Sequence, residues 1–435
     1  YPVVLLRGLL PRDQGHQTTV DGANPGTAIA TLKVSLKGRD CPVAVSDNRF
    51  LALVRLAIGT QQITLSFGDQ KQTLALRYER QTNPYYVRMV WMTDSEGDTT
   101  YAVPPDSTRQ QDYVGRMQTA AELMQTFTAE RMHDIGLPRQ TFRLERDEQG
   151  KVVVHTFQGP RKAQEYQAMP DQLWWRDVYR WINSKHQDAY AKNVVLAAYT
   201  RKDPQSGEML AHTALGGGNL GLFGSASVFS WPSSLPDTIP VFKDDSRFDS
   251  STVHNDSIGR DTIWALASTT LGATLHETGH TFGLPHCRDP KGIMTRGFDH
   301  FNRVFTLREP PHARRRRAVQ IGAKDQAYFA PISARFLQHS PWFALDEPNL
   351  DKSPLRITRD GEKESATLTI RCKSGVAWVG YFDGDSVREF DAFEDAGHNE
   401  HTRTVAEIEK RMEGKRLTRV TAISFGGQQA QLRIP

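Results

Sequence analysis

The stretch Thr274–Thr295 reads TLHETGHTFGLPHCRDPKGIMT, and the rest of the chain is best approached from it. His276 and His280 are four residues apart, so on a helix their imidazoles lie one turn apart on the same face. Two nitrogens presented that way can bind one Zn²⁺ at ~2.0–2.1 Å each. Glu277 sits beside such a metal without being a ligand, where a carboxylate can take a proton from a water on the ion. The third ligand needs a different geometry. At ~100° per residue, a continued helix would carry position 286 ~240° round from position 280 and away from the metal. Gly283 offers an exit, because glycine adopts the left-handed backbone that ends a helix, and Pro285 prevents resumption. His286 can then swing back towards the same ion. Three histidines leave the fourth position open, as a catalytic zinc site requires. A bare HExxH arises often by chance, whereas HExxHxxGxxH fixes five positions.

Working upstream, the motif ends a long helix expected from about Asp261 through His280. Ahead of it, strands alternate with helices. Tyr85–Met92 is a near-continuous apolar strand, and Met117, Ala121, Met124, Phe127 and Met132 recur at helical spacing until Gly136-Leu137-Pro138 stops the run. Strand-like runs follow at Thr141–Leu144 and Val152–Phe157, then a helix with Trp174, Val178, Trp181 and Ile182 on one stripe, then the buried-type strand Val194–Tyr199. A glycine-rich stretch leads into Ala226–Trp231, and two further strands are expected before the motif helix. This alternation predicts an α/β (α+β) domain, a mostly parallel sheet with helices on its faces. Both apolar helical stripes are core positions.

The flanks read as β. Val3–Leu6, Ala28–Leu36, Phe50–Ala57, Ile63–Phe67 and Leu74–Tyr78 are short apolar or alternating runs separated by turn residues, which predicts an N-terminal β-sandwich over 1–83. Its segment Phe50–Phe67 (FLALVRLAIGTQQITLSF) resembles the strand–turn–strand of bacterial immunoglobulin-like modules. The central domain is expected over 84–346. Asp346–Pro354 reads as a linker, and Thr367–Cys372, Val376–Phe382 and Arg419–Phe425 predict a C-terminal β-rich, sandwich-like domain over 347–435 with no evident chemistry of its own.

Composition narrows the function. With 54 Lys+Arg against 50 Asp+Glu, the formal charge of +4 gives no reason to expect nucleic acid as a partner. No run approaches the ~18 apolar residues needed to span a bilayer. Cys41, Cys287 and Cys372 fit neither a disulfide framework nor a cysteine-based metal site. The chain begins at Tyr1, which leaves the compartment open, with a secreted or extracytoplasmic location slightly favoured.

The motif, followed by Gly292-Ile293-Met294, resembles the metzincin clan of zinc metallopeptidases. The resemblance implies that Met294 is the methionine of the turn forming an apolar floor beneath the three histidines. Gly292 stands where archaemetzincins carry a zinc-finger cysteine, so that finger is not expected. A closer similarity is to the fungal-type zinc metalloproteinase family, whose members carry an additional β-rich domain. It is carried by Phe229–Leu235 (FSWPSSL), His254–Asp256, Leu275–His286, Gly292–Arg296 and Asn302–Pro310 (NRVFTLREP), within roughly Phe50 to Asp346.

These readings converge on a zinc-dependent metallopeptidase acting on a peptide or protein substrate. Glu277 is its general base, acting on a zinc-bound water, and His276, His280 and His286 are its ligands. The rival is a latent or inactive zinc scaffold whose β modules bind glycan or protein; an intact Glu277 argues against it. In metzincins an exposed edge strand pairs with extended substrate. Thr213–Phe223 (TALGGGNLGLF) is the candidate here, with a plain flexible loop as the alternative. Cys287 reads as a buried, inert thiol, Arg314–Arg317 as a solvated loop, and His254 as a cap or a cleft residue. Tyr328 and Arg296 are candidates to stabilise an oxyanion, neither preferred.

Overall fold

The computed structural model describes residues 1–11, 31–348, 350–362 and 365–435. Its first strands are β1 (Val3–Leu9), β2 (Lys33–Leu36), β3 (Arg39–Asp40), β4 (Val43–Ser46), β5 (Arg49–Arg55), β6 (Gly59–Phe67) and β7 (Gln70–Tyr78). They form antiparallel sheets ordered β1-β5-β4 and β3-β2-β6-β7. Side chains alternate across a strand, so β5 serves two cores at once. Phe50, Ala52 and Val54 pack with Val34 and Ile63 between the two sheets, while Leu51 and Leu53 face the centre of the molecule. The expected run 28–36 forms a strand from Lys33; its residues 28–30 lie outside the described ones.

The central region follows the expected alternation. It runs β8 (Tyr86–Thr93), α1 (Tyr113–Asp134), β9 (Val154–Gln158), α2 (Ala163–Gln167), α3 (Asp171–Lys185) and β10 (Ala191–Ala197). After a short pair, β11 (Arg201–Lys202) and β12 (Met209–Leu210), come the hairpin β13 (Ala214–Gly217) and β14 (Leu220–Gly224), α4 (Thr238–Val241) and α5 (Ile263–Thr281). The sheet order is β13-β14-β10-β8-β9, with β13 alone antiparallel, at the edge. Helices on both faces explain the near-continuous apolar strands. Met89, Trp91, Val194 and Leu196 share a core with α1 and α5, and Val90, Met92, Val195 and Ala197 share one with α3.

Two runs differ from expectation. Thr141–Leu144 makes only an isolated bridge, Leu144 to Val87, rather than a strand. Ala226–Trp231 folds as a buried turn around Val228–Ser230, and the two strands before α5 come instead from the glycine-rich hairpin β13/β14.

After α5 come the short pair β15 (Arg308–Glu309) and β16 (Val319–Gln320), then α6 (Pro331–Gln338). The last part contains β17 (Arg356–Asp360), β18 (Thr367–Arg371), β19 (Val376–Asp383), β20 (Ser386–Ala392), β21 (Glu400–Thr404), α7 (Val405–Arg411), β22 (Arg419–Ser424) and β23 (Gln429–Arg433). Its sheets are ordered β17-β18-β21 and β20-β19-β22-β23. The four-stranded sheet has two occupied faces. Val379, Tyr381, Val420 and Ala422 build a core with Leu368, Ile370 and Ile408, while Trp378, Phe382, Val387 and Ile423 enter the central core. The Trp378 ring meets Phe336 of α6 edge-on at 5.2 Å. Among the described residues no helix is long and apolar enough to cross a membrane.

Candidate active site

Helix α5 is buried along nearly its whole length, held between the central sheet and the segment Arg296–Val304. Its end is made by Gly283, whose φ of +93° lies in the left-handed region. The Leu284 N–H donates to the Gly279 carbonyl at 3.1 Å and the Gly283 N–H to the His280 carbonyl at 3.0 Å, the two bonds of a Schellman cap. The chain then turns back, and the three imidazoles meet. His276 Nε2 lies 3.1 Å from His280 Nε2, which lies 3.2 Å from His286 Nε2. Nitrogens bonded at ~2.05 Å to one tetrahedral ion would stand ~3.3 Å apart. This cluster could hold a metal ion.

The outward-facing ring nitrogens are anchored. Nδ1 of His276 lies 2.7 Å from the Ile293 carbonyl and Nδ1 of His280 2.7 Å from the Leu284 carbonyl. A carbonyl accepts only, so each Nδ1 carries the proton and each Nε2 keeps its lone pair for a metal. Burial works in the same direction, pushing His276 down to about 3 and His280 down to about 4, so both rings stay neutral. Glu277 Oε1 stands 4.0 Å from His276 Nε2, beside the three-histidine cluster. Burial pushes its carboxyl up to about 8, against the pull of a hydrogen bond from the Gly216 backbone.

Two glycines make these approaches feasible. A Cβ on Gly216 would fall 2.2 Å from the Glu277 carbonyl oxygen, so the edge strand β13 lies directly against α5. A Cβ on Gly279 would fall 2.6 Å from the sulfur of Met294, which is fully buried beneath the helix. Glycine inside a helix costs ~1 kcal/mol relative to alanine, and here it makes room for the thioether.

A cleft of about 620 Å³ opens over the cluster. Ala214, Leu215 and Gly216 of β13 line it together with Glu277, His280 and His286. The C-terminal sheet contributes Phe382, Asp385, Arg419, Thr421, Gln429 and Gln431 to the same cleft. That sheet also grips the third histidine: the Val387 N–H donates to the His286 carbonyl at 3.0 Å, and His286 bridges to Ser386 in parallel register.

Residues 1–377 match the Metallopep family, described as a putative peptidase family. The chain belongs to this family. It is 31% identical over 323 residues to a putative zinc metalloproteinase of Schizosaccharomyces pombe, covering 69% of this chain and 50% of the relative. To a putative zinc metalloproteinase of Saccharomyces cerevisiae it is 37% identical over 158 residues, covering 34% of this chain and 22% of the relative. The chain thus spans half or less of the curated relatives it matches. Among solved structures, an O-glycopeptide complex of catalytically inactive OgpA from Akkermansia muciniphila aligns over 82% of this chain and 94% of its own at 14% identity and a TM-score of 0.49. Archaemetzincin from Methanopyrus kandleri aligns over 59% and 94% at 12% identity and a TM-score of 0.27.

Within this family member the weaker candidates fall away from the cleft. Tyr328 donates its hydroxyl to Asp289, and its carbonyl accepts from the Ile293 N–H at 2.8 Å, which steadies the chain leading into Met294. Arg296 pairs with Asp299 at 3.0 Å and stacks on Phe298. Neither is among the residues lining the cleft. His254 packs against the His212 ring at 4.5 Å, also away from the cleft lining. Cys287 is buried, with its thiol 3.2 Å from Thr295 Oγ1 and its ionisation pushed up by burial. Of the arginine run, Arg315 pairs with the buried Glu309 at 3.3 Å. Sequence reasoning missed Gly279 and the whole C-terminal wall. The signal for Gly279 was a glycine inside a helix flanked by two candidate ligands.

Proposed function

We propose that this chain is a zinc metallopeptidase in which His276, His280 and His286 hold the metal and Glu277 is the general base. The convergence of three Nε2 atoms on one point, with a buried carboxylate 4.0 Å from the first of them, carries the reading. The zinc named in the relatives' descriptions fits a set of three neutral imidazoles with an open fourth position. When bound, zinc supplies Lewis acidity, which activates a water and polarises a scissile carbonyl.

The chain's own residues supply the rest. The edge strand β13 offers backbone groups to an extended peptide, as edge strands do. Glu277 takes the proton of the attacking water and returns it to the leaving amine. Gly216 lies against Glu277, so the strand that would hold substrate also packs beside the base. Met294 sits under the ligand helix as the methionine of a metzincin turn. We read the two N-terminal sheets as an immunoglobulin-like sandwich, a reading supported by their antiparallel strands and shared apolar core.

Glu277→Gln tests the assignment. It preserves shape and leaves the three imidazoles untouched, so metal analysis should still find close to one zinc per chain. Peptide hydrolysis should fall by about 10²–10⁴-fold, the contribution typical of a general acid–base group. Equal cleavage by both forms would remove Glu277 from the mechanism. Failure of the zinc-loaded parent to cleave any member of a broad peptide library would remove the peptidase reading.

A further inference from the structure

The cleft contains a cation that nothing in the proposed hydrolysis uses. Arg419 opens β22, where it pairs in register with Phe382 of β19, and its guanidinium carbon lies 4.1 Å from the centroid of the Phe382 ring. Phe382 is itself buried in the central core, so the ring is a fixed platform and the guanidinium is held flat against it. Arg419 Nε is buried without an acceptor, and among the described residues the side chain makes no ion pair. An unpartnered Nε is shared with Arg116, Arg131, Arg143, Arg359 and Arg388, but Arg388 has Asp383 as an ion-pair partner, as Arg303 and Arg315 have Glu309 and Arg411 has Asp391. Asp385, the acidic group on the same wall, makes no ion pair with Arg419 although both line the cleft.

A guanidinium held flat in a cleft, with its terminal nitrogens free of any protein carboxylate, is positioned to donate to a ligand that enters. Resting on the peptidase reading above, we propose that Arg419 is a specificity-determining residue that takes a carboxylate of the bound peptide. The planar fork of a guanidinium matches a carboxylate with two parallel N–H···O bonds. Arg419 is the only arginine or lysine among the described residues lining the cleft, which suits one compact anion better than an extended polyanion. Thr421, Gln429 and Gln431 add neutral donors and acceptors beside it. Strand geometry puts them together: Thr421 pairs in register with Gln431, two positions along from Arg419 on the same face of β22. The carboxylate can belong to an Asp or Glu side chain near the scissile bond or to the C-terminus of a short peptide.

Matched peptide pairs separate these sources. One set compares Glu with Gln at each position flanking the cleaved bond, and the other compares a free C-terminal acid with its amide. The zinc-loaded full chain should favour the acid member of one set in kcat/KM by about ten- to a hundredfold, the range for hydrogen bonds to a charged group. Arg419→Met, which retains a stem to cover Phe382, should bring that ratio close to one, and Arg419→Lys should restore part of it. A merely structural arginine would lower both members of a pair alike. An unchanged ratio in Arg419→Met, or no acid preference in the parent, overturns the proposal. If the parent cleaves no peptide, the peptidase reading fails first. The subsite is then judged by binding of the same pairs to the Glu277→Gln chain with and without Arg419→Met, where equal affinities overturn it.

Discussion

The N-terminal and C-terminal β regions both dock on the central domain through apolar residues, but the cleft lining draws on the C-terminal one and not on the N-terminal one. The N-terminal sheets bury Val3, Leu5, Leu51 and Leu53 in the central core and add charges and hydrogen bonds: Arg7 with Glu130 at 2.8 Å, Arg55 with Glu122, and the Tyr1 hydroxyl with Glu130 at 2.7 Å. Both glutamates are almost wholly buried, and Arg146 and Arg139 of the central domain complete their pairing. The C-terminal sheet inserts Trp378, Phe382 and Ile423 into the same core and also places polar residues around the cleft. One module braces the back of the helix layer. The other is a wall of the candidate active site. The N-terminal seam should therefore tolerate change without loss of chemistry, while the C-terminal seam should not.

The largest effect is expected at Trp378. Its ring lies over Gly380 and against Phe336, and Phe336 in turn fills the space where a Cβ on Gly283 would come within 3.3 Å. Packing thus runs from the C-terminal sheet to the turn that returns His286. Trp378→Ala should cost ~3–5 kcal/mol, the range for removing a large buried aromatic. It should also weaken zinc binding, because the turn loses its support. Denaturant unfolding paired with a zinc titration measures both. Reduced stability with unaltered zinc affinity would show that the wall and the metal cluster are independent.

Gly283→Ala probes the same path from the other end and should cost less. A non-glycine residue at φ +93° carries ~1–3 kcal/mol of backbone strain, and the new methyl presses on Phe336. The displacement is passed to His286, so zinc release in a chelator competition should be faster than for the parent. Unchanged release would mean that the bond from Val387 to the His286 carbonyl, rather than the turn, fixes the third histidine.

Much of this architecture is legible in the sequence, for identifiable reasons. Ligands at i and i+4 need a helix, a third at i+10 needs a break, and Gly283 and Pro285 announce one. The parallel strands are legible because both sheet faces are covered, which turns alternation into continuous apolar runs such as Tyr86–Thr93. The wall of the cleft is not legible. Arg419 and Thr421 alternate with Val420 and Ala422, and Gln429 and Gln431 with Ala430 and Leu432, as in any half-buried strand. A polar face reads the same whether water or a substrate cleft lies beyond it. The approach of β13 to α5 is half-legible, since the glycines of the hairpin suit close backbone contact and a flexible loop equally. Only the position of Gly216 against Glu277 separates the two.

The smallest effect is expected at the N-terminal seam, where it tests the comparison most directly. Thr126 lies on α1, fully buried, and its hydroxyl donates to the Val3 carbonyl of β1 at 2.6 Å. Thr126→Val keeps the branched shape and removes that single donor. The Val3 carbonyl then loses one hydrogen bond, worth about 1 kcal/mol net in a typical buried setting. The ion pairs of Arg7 and Arg55 remain, so the sheets should stay docked. Thr126 is not among the residues lining the cleft, although α1 shares its core with α5. Stability should fall by that small amount while kcat/KM on a good peptide substrate matches the parent, provided the assay runs well below the unfolding transition. A severalfold loss of activity in a variant that remains fully folded would mean that the N-terminal sheets influence the site through α1 and α5. The two β regions would then differ in distance from the chemistry but not in kind.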